Sequence, residues 1–137
     1  MKGKKPILLV EDDTVDTMTV TRALKEIHVT NRVINASNGK EALEYLRNAD
    51  NETPCIILLD LNMPKMNGIE FLEIAKRDEL LKMIPVVVLT TSKEEQDKVD
   101  SFRQSVAGYM IKPVDYQKFV EVMRTINVYW TLSELPW

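Results

Sequence analysis

Three stretches limit the fold more than any others: Ile7-Leu8-Leu9-Val10, Cys55-Ile56-Ile57-Leu58-Leu59 and Val86-Val87-Val88-Leu89, each without a polar break. A strand with one face in water alternates apolar and polar residues. A short unbroken run with β-branched side chains fits a strand buried on both faces, as in a parallel sheet covered by helices. Each run ends in a polar group: Glu11 and Asp12 after the first, Asp60 after the second, Thr90 after the third. Taken alone, Asp60 reads as an ordinary turn cap, because Asp bonds its own backbone in turns, and Pro64 then stops the strand from continuing.

The segments between the runs carry helical spacing. Val20, Ala23, Leu24 and Ile27 recur at i, i+3, i+4 and i+7, an inward stripe. Arg32 to Ala36 is a weaker strand. Asn38-Gly39-Lys40-Glu41 resembles a capping box and opens a helix with Ala42, Leu43, Leu46 and Ala49 on its inner side. Lys65-Met66-Asn67-Gly68 is turn chemistry, followed by a helix with Phe71, Leu72 and Ala75 inward. Leu80, Leu81 and Ile84 are expected to anchor the segment before Pro85. Ser92 and Glu95 form a second capping box. The helix they open has only Val99, Phe102 and Val106 as apolar anchors, so it is expected to be half exposed and loosely held. Gly108 to Ile111 is a fifth strand ending at Lys112-Pro113. Asp115 then caps a last helix with Phe119, Val122, Met123, Ile126 and Trp130 inward.

Strands thus alternate with helices five times. The expected fold is α/β: a doubly wound five-stranded parallel sheet with five helices. At 137 residues the chain suits one domain, 1–137, with a core of about 6–130 and a tail of 131–137.

A net charge of −3 gives no nucleic-acid footprint. No segment reaches membrane-spanning length, and Pro6 to Val10 is too short for a signal-peptide core. The single cysteine, Cys55, excludes an internal disulfide and fits a reducing compartment. The expected location is the cytoplasm. Cys55 reads as a core thiol, the lone His28 as a surface residue, and the seven Met as core filler.

In a parallel sheet, strand ends of one kind share an edge, so Glu11, Asp12, Asp60, Thr90 and Lys112 should converge. Neighbouring carboxylates repel one another, and a cation among them relieves this. An all-oxygen cluster suits a hard ion such as Mg²⁺. Lys112 adds a point charge and Thr90 a hydroxyl. Carboxylate nucleophile, divalent metal, lysine and hydroxyl are the parts that phosphoryl transfer to an aspartate uses. Asp13, beside the acidic pair, reads as a helix N-terminal charge rather than a ligand.

The ordered set Glu11-Asp12, Asp60, Thr90 and Lys112-Pro113 resembles the receiver domain of two-component response regulators, from Pro6 to about Trp130. Within that family the chain is most similar to stand-alone receivers that partner cyanobacterial phytochromes. Leu89-Thr90-Thr91-Ser92 and the tail Trp130…Leu135-Pro136 carry this narrower likeness. The resemblance implies a flavodoxin-like receiver fold and a phosphoacceptor, Asp60, served by a sensor histidine kinase or phosphotransfer protein. It implies Mg²⁺ held by Asp12, by Glu11 through water, by Asp60 and by the backbone carbonyl of Asn62. Lys112 would contact the acyl phosphate, and Thr90 and Tyr109 would form the switch pair. Thr91 departs from the smaller residue usual in the family, which bears on how long the phosphoryl group lasts.

The implied function is a signalling switch, not an enzyme with its own substrate, that acts on a downstream protein without a DNA-binding output domain. Tyr129, Trp130 and Trp137 mark a candidate homodimer surface with the fourth helix, fifth strand and fifth helix. Two readings compete with it. A small-molecule phosphatase would also use an aspartyl phosphate, but Leu61-Asn62 follows Asp60 where such enzymes carry Asp-x-Asp. A purely structural module would not require all of Glu11, Asp12, Asp60, Thr90 and Lys112.

Overall fold

The computed structural model describes residues 5–26, 29–61, 68–90 and 108–111, together with 117, 120 and 121; for Thr90 and residues 108–111 the description is of the backbone. The elements are β1 (Ile7–Val10), α1 (Thr14–Glu26), β2 (Val33–Ala36), α2 (Gly39–Arg47), β3 (Ile56–Asp60), α3 (Gly68–Arg77), a 3₁₀ turn (Leu81–Met83), β4 (Val86–Thr90) and β5 (Gly108–Ile111). All pairings are parallel, in the order β2-β1-β3-β4-β5. The five expected strands are all present. The expected fourth helix lies outside the described residues, and Gln117, Val120 and Glu121 are the described part of the last one.

The unbroken apolar runs are explained by two cores, one on each face of the sheet. Leu8, Val10, Ile57, Leu59, Val86 and Val88 pack with Ala42 and Leu43 of α2 and Phe71, Leu72 and Ala75 of α3. Ile7, Leu9, Ile56, Leu58, Val87 and Leu89 pack on the other face with Val20, Ala23 and Leu24 of α1, and with Val120. Successive strand residues therefore alternate between two dry environments rather than between core and water. Of the inward stripe expected on α1, Val20, Ala23 and Leu24 are buried; Ile27 lies outside the described residues.

Three expectations are corrected, the first being that the methionines fill the core: Met18 and Met83 are exposed. Ala49 is exposed and lies beyond α2, which ends at Arg47 with the Asn48 amide donating to the Tyr45 carbonyl. Tyr45 and Leu46 supply the packing in the last turn instead. Leu80 is 81% exposed, whereas Leu81 and Ile84 are buried as expected. A 3₁₀ turn repeats every three residues, so Leu81 and Ile84 share the inner face and Leu80 and Met83 the outer one.

Side chains of α3 and the segment after it hold this turn. The Asp78 carboxylate accepts from the amides of Leu80 (2.9 Å) and Leu81 (3.1 Å). These bonds, with that of Leu81 first, and the Arg47 charge hold the Asp78 carboxyl below its usual pKa. Lys76 Nζ donates to the carbonyls of Lys82 (3.4 Å) and Ile84 (3.3 Å), and burial lowers the pKa of its ammonium.

Candidate functional site

The strand order reverses direction between β1 and β3, since β1 leads outward to β2 while β3 continues to β4 and β5. In open α/β sheets the crevice at the carboxyl ends of such a pair is where ligands bind. Register decides what stands there. Val10 pairs with Leu59, so Glu11, the residue after Val10, stands beside Asp60, the residue after Leu59. Asp60 in turn pairs with Leu89, one residue before Thr90.

Glu11, Asp12 and Asp60 each place a carboxylate oxygen so that these atoms lie within 4.8 Å of one another. Glu11 and Asp60 are each 1% exposed, while Asp12 is open to solvent. Among the described residues this is the one acidic group with ligand-like geometry. Hard oxygen donors, two of them shielded from water and one reachable, fit a divalent cation that keeps part of its hydration shell.

The neighbouring acidic residue has a different role. Asp13 Oδ1 accepts from the Asp16 amide at 3.0 Å, which makes Asp13 the hydrogen-bonding cap of α1, at the helix start where it was expected only as a charge. Asn38 caps α2 in the same way, accepting from the Glu41 amide at 2.9 Å, but in the reciprocal bond Glu41 Oε1 accepts from the Ser37 amide at 3.0 Å rather than from that of Asn38.

Of the other expected site residues, Thr90 ends β4 and pairs with Ile111, the residue before Lys112, and Tyr109 pairs with Val88 within β5. Lys112 and Asn62 lie outside the described residues, as do Thr91 and the tail aromatics Tyr129, Trp130 and Trp137.

Two features were not singled out from sequence. Gly68 was read only as a turn residue, yet its amide donates to the Leu61 carbonyl at 3.1 Å, and a Cβ there would stand 2.5 Å from Leu61 Cα and 2.6 Å from the Asp60 carbonyl oxygen. No local signal announces such a contact. Asn35 donates to the carbonyls of Leu9 and Glu11; its only signal was an Asn inside an otherwise apolar strand.

Residues 7–124 match the family described as response regulator receiver domain. The chain belongs to that family. Receiver domains accept phosphoryl groups from histidine kinases, and this phosphoacceptor role is the function of the chain. Receivers also bind a divalent metal, which the Glu11, Asp12 and Asp60 cluster fits. The chain is 39% identical to the probable methanogenesis regulatory protein FilR2 of Methanothrix harundinacea over 127 residues, covering 90% of this chain and 82% of that protein. It is 36% identical to response regulator Rcp1 of Synechocystis sp., covering 92% and 88%. Among solved structures, that of the phosphorylated cyanobacterial phytochrome response regulator RcpA superposes with a TM-score of 0.79 at 38% identity, covering 94% of this chain and 95% of that one. The Mn²⁺-bound form of Rcp1 superposes with a TM-score of 0.77 at 36% identity, covering 92% and 94%. The likeness to phytochrome response regulators inferred from residues 89–92 and the tail is thus borne out at the level of the whole receiver. No helix among the described residues is long and apolar enough to cross a membrane.

Proposed function

We propose that Asp60 is the residue of this receiver that takes the phosphoryl group, and that Glu11 and Asp12 hold Mg²⁺ beside it. The observation that carries this reading is the meeting of the three carboxylates within 4.8 Å at the strand-order reversal. An Asp60 oxygen attacks the phosphorus of a phosphohistidine on a sensor kinase or phosphotransfer protein. The O–P bond forms as the P–N bond breaks, and the imidazole leaves with the electron pair. Asp60 sits at the rim of a strand buried on both faces, which fixes its direction and limits the water that would compete for the acyl phosphate. When bound, the cation offsets charge on the phosphoryl oxygens. Rcp1 has been solved with Mn²⁺ and RcpA in a phosphorylated form, which supports carrying the same chemistry to this chain.

By motif order, Lys112 contacts the phosphoryl group, Asn62 adds its carbonyl to the metal set, and Thr90 and Tyr109 relay the change. The chain acts as a switch rather than as an enzyme with turnover of its own. Its output is contact with a downstream protein in the cytoplasm. A homodimer through the fourth helix, fifth strand, fifth helix and the tail carrying Trp130 and Trp137 is the accompanying proposal. Sedimentation across a concentration series tests it: Trp130→Ala with Trp137→Ala should dissociate a dimer, and a wild type that stays monomeric would refute it.

The direct test of the site is incubation with Mg²⁺ and a small acyl-phosphate donor, read by intact mass. Wild type should gain one phosphoryl group and Asp60→Asn none. Equal gain by both would refute the assignment.

A further inference from the structure

Asn35 occupies an odd place. It lies within β2, the edge strand beside β1, where β-branched residues are favoured and Asn is depleted. Its neighbours Val33 and Ile34 follow the strand preference, and Ala36 is buried. Asn35 is exposed, pairs with Leu9, and sends Nδ2 across to β1, where it donates to the Leu9 carbonyl (3.1 Å) and to the Glu11 carbonyl (3.2 Å). Both partners are carbonyl oxygens, so only the amide nitrogen, with its two hydrogens, can face them.

The second of these bonds falls where the sheet ends. The β1–β2 register stops at Val10 and Ala36. The Glu11 amide then donates to the Ala36 carbonyl at 2.9 Å. In a parallel ladder the N–H and C=O of one residue point the same way, so the Glu11 carbonyl also faces β2. Past Ala36 the chain turns off to begin α2, with Asn38 as its cap. The Asn35 side chain reaches forward to the Glu11 carbonyl and extends the ladder by one residue that the backbone of β2 has already left. Glu11 is thereby gripped at both its N–H and its C=O, at the point where β1 becomes the acidic loop.

We infer that Asn35 is a positioning residue for the cation site, fixing the Glu11 peptide so that the carboxylates of Glu11 and Asp12 are presented to Asp60. Resting on the reading of Glu11, Asp12 and Asp60 as the metal set, it adds a residue from a strand that contributes no ligand. Groups that orient ligands without touching the ion commonly set its affinity. The clamp thus makes the edge strand part of the site.

The test compares wild type, Asn35→Val and Asn35→Thr. Val keeps a good strand former and removes both donors; Thr keeps one hydroxyl donor and can hold one carbonyl. Mn²⁺ affinity is read from the electron paramagnetic resonance of the free aquo ion, and thermal unfolding is followed without metal. Asn35→Val should weaken Mn²⁺ binding by about tenfold, and Asn35→Thr by less, with metal-free midpoints close to wild type. A loss of affinity graded in this order supports the clamp even if the midpoint also falls. If Asn35→Val does not fold, a weaker affinity in Asn35→Thr supports the clamp in its place. Variants that bind Mn²⁺ as tightly as wild type overturn the clamp and leave the metal set standing. A wild type that takes up no Mn²⁺ overturns the metal set and the clamp together.

Discussion

The Gly68 amide donates to the Leu61 carbonyl across 3.1 Å, and the space a Gly68 Cβ would need is already filled by Leu61, whose Cα would lie only 2.5 Å away. Leu61, just past β3, thus meets the first residue of α3, so the helix rests directly on the strand end that carries the carboxylate. Gly68→Ala must push apart two pieces of backbone, Leu61 Cα and the Asp60 carbonyl, and neither can swing away like a side chain. A cost of about 1–3 kcal/mol is expected for such overpacking. Urea unfolding measures it, and the rate of labelling by an acyl-phosphate donor should fall as well.

Asp12 and Asp13 are adjacent in sequence but differ in role. Asp13 caps α1 through the Asp16 amide, and an Asn can accept that bond equally well. Asp12 belongs to the carboxylate group. In a cation titration Asp13→Asn should bind much like wild type. Asp12→Asn should bind about tenfold or more weakly, because affinity for a hard cation follows the ligand charge count. Equal losses in the two variants would contradict the division of roles.

Asn38 is 5% exposed and accepts from the Glu41 amide. Asn38→Ala removes that acceptor at a buried helix start, and about 1 kcal/mol of stability should go with it. Chemical denaturation checks this. Asn38→Asp keeps an acceptor on the Glu41 amide and should retain most of the stability.

The lowered pKa of Asp78 gives a pH dependence with a definite sign. Between its folded pKa and the ordinary value of 3.8 the unfolded chain binds the proton and the folded chain does not. The stabilising contribution is therefore complete above about pH 3.8 and is lost as pH falls through the folded value. Asp78→Ala should have a lower thermal midpoint than wild type at neutral pH, and the two curves should converge in acid. A constant difference down to the lowest pH would show that the carboxylate charge is not involved.

The sheet was legible because two covered faces leave no polar residue in Ile7–Val10, Ile56–Leu59 or Val86–Leu89, and runs so short and so apolar fit little besides a buried strand. The meeting of Glu11, Asp12 and Asp60 was legible for a related reason. Once the strands are parallel their carboxyl ends share one edge, while the side-by-side placement of β1 and β3 that brings the carboxylates together is given by the strand order. What escaped was local geometry that depends on partners far away in sequence. Leu80 and Leu81 are the same residue type side by side, and only the period of the turn decides which one is buried. Ala49 continued the spacing of α2 on paper, but the helix had already ended at Arg47. Asn35 was only one residue of a weak strand until the Leu9 and Glu11 carbonyls stood opposite it, and Gly68 looked like any turn glycine until Leu61 lay beside it.

Chemical trapping of the acyl phosphate shows whether Asp60 is the nucleophile. After labelling with an acyl-phosphate donor in the presence of Mg²⁺, borohydride reduces an aspartyl phosphate to homoserine, which peptide mass mapping locates. Homoserine at position 60, with none in a sample that received no donor, is the expected result. Homoserine at Asp12 or elsewhere with Asp60 intact, or a phosphate that resists borohydride as a Thr90 ester would, would contradict it.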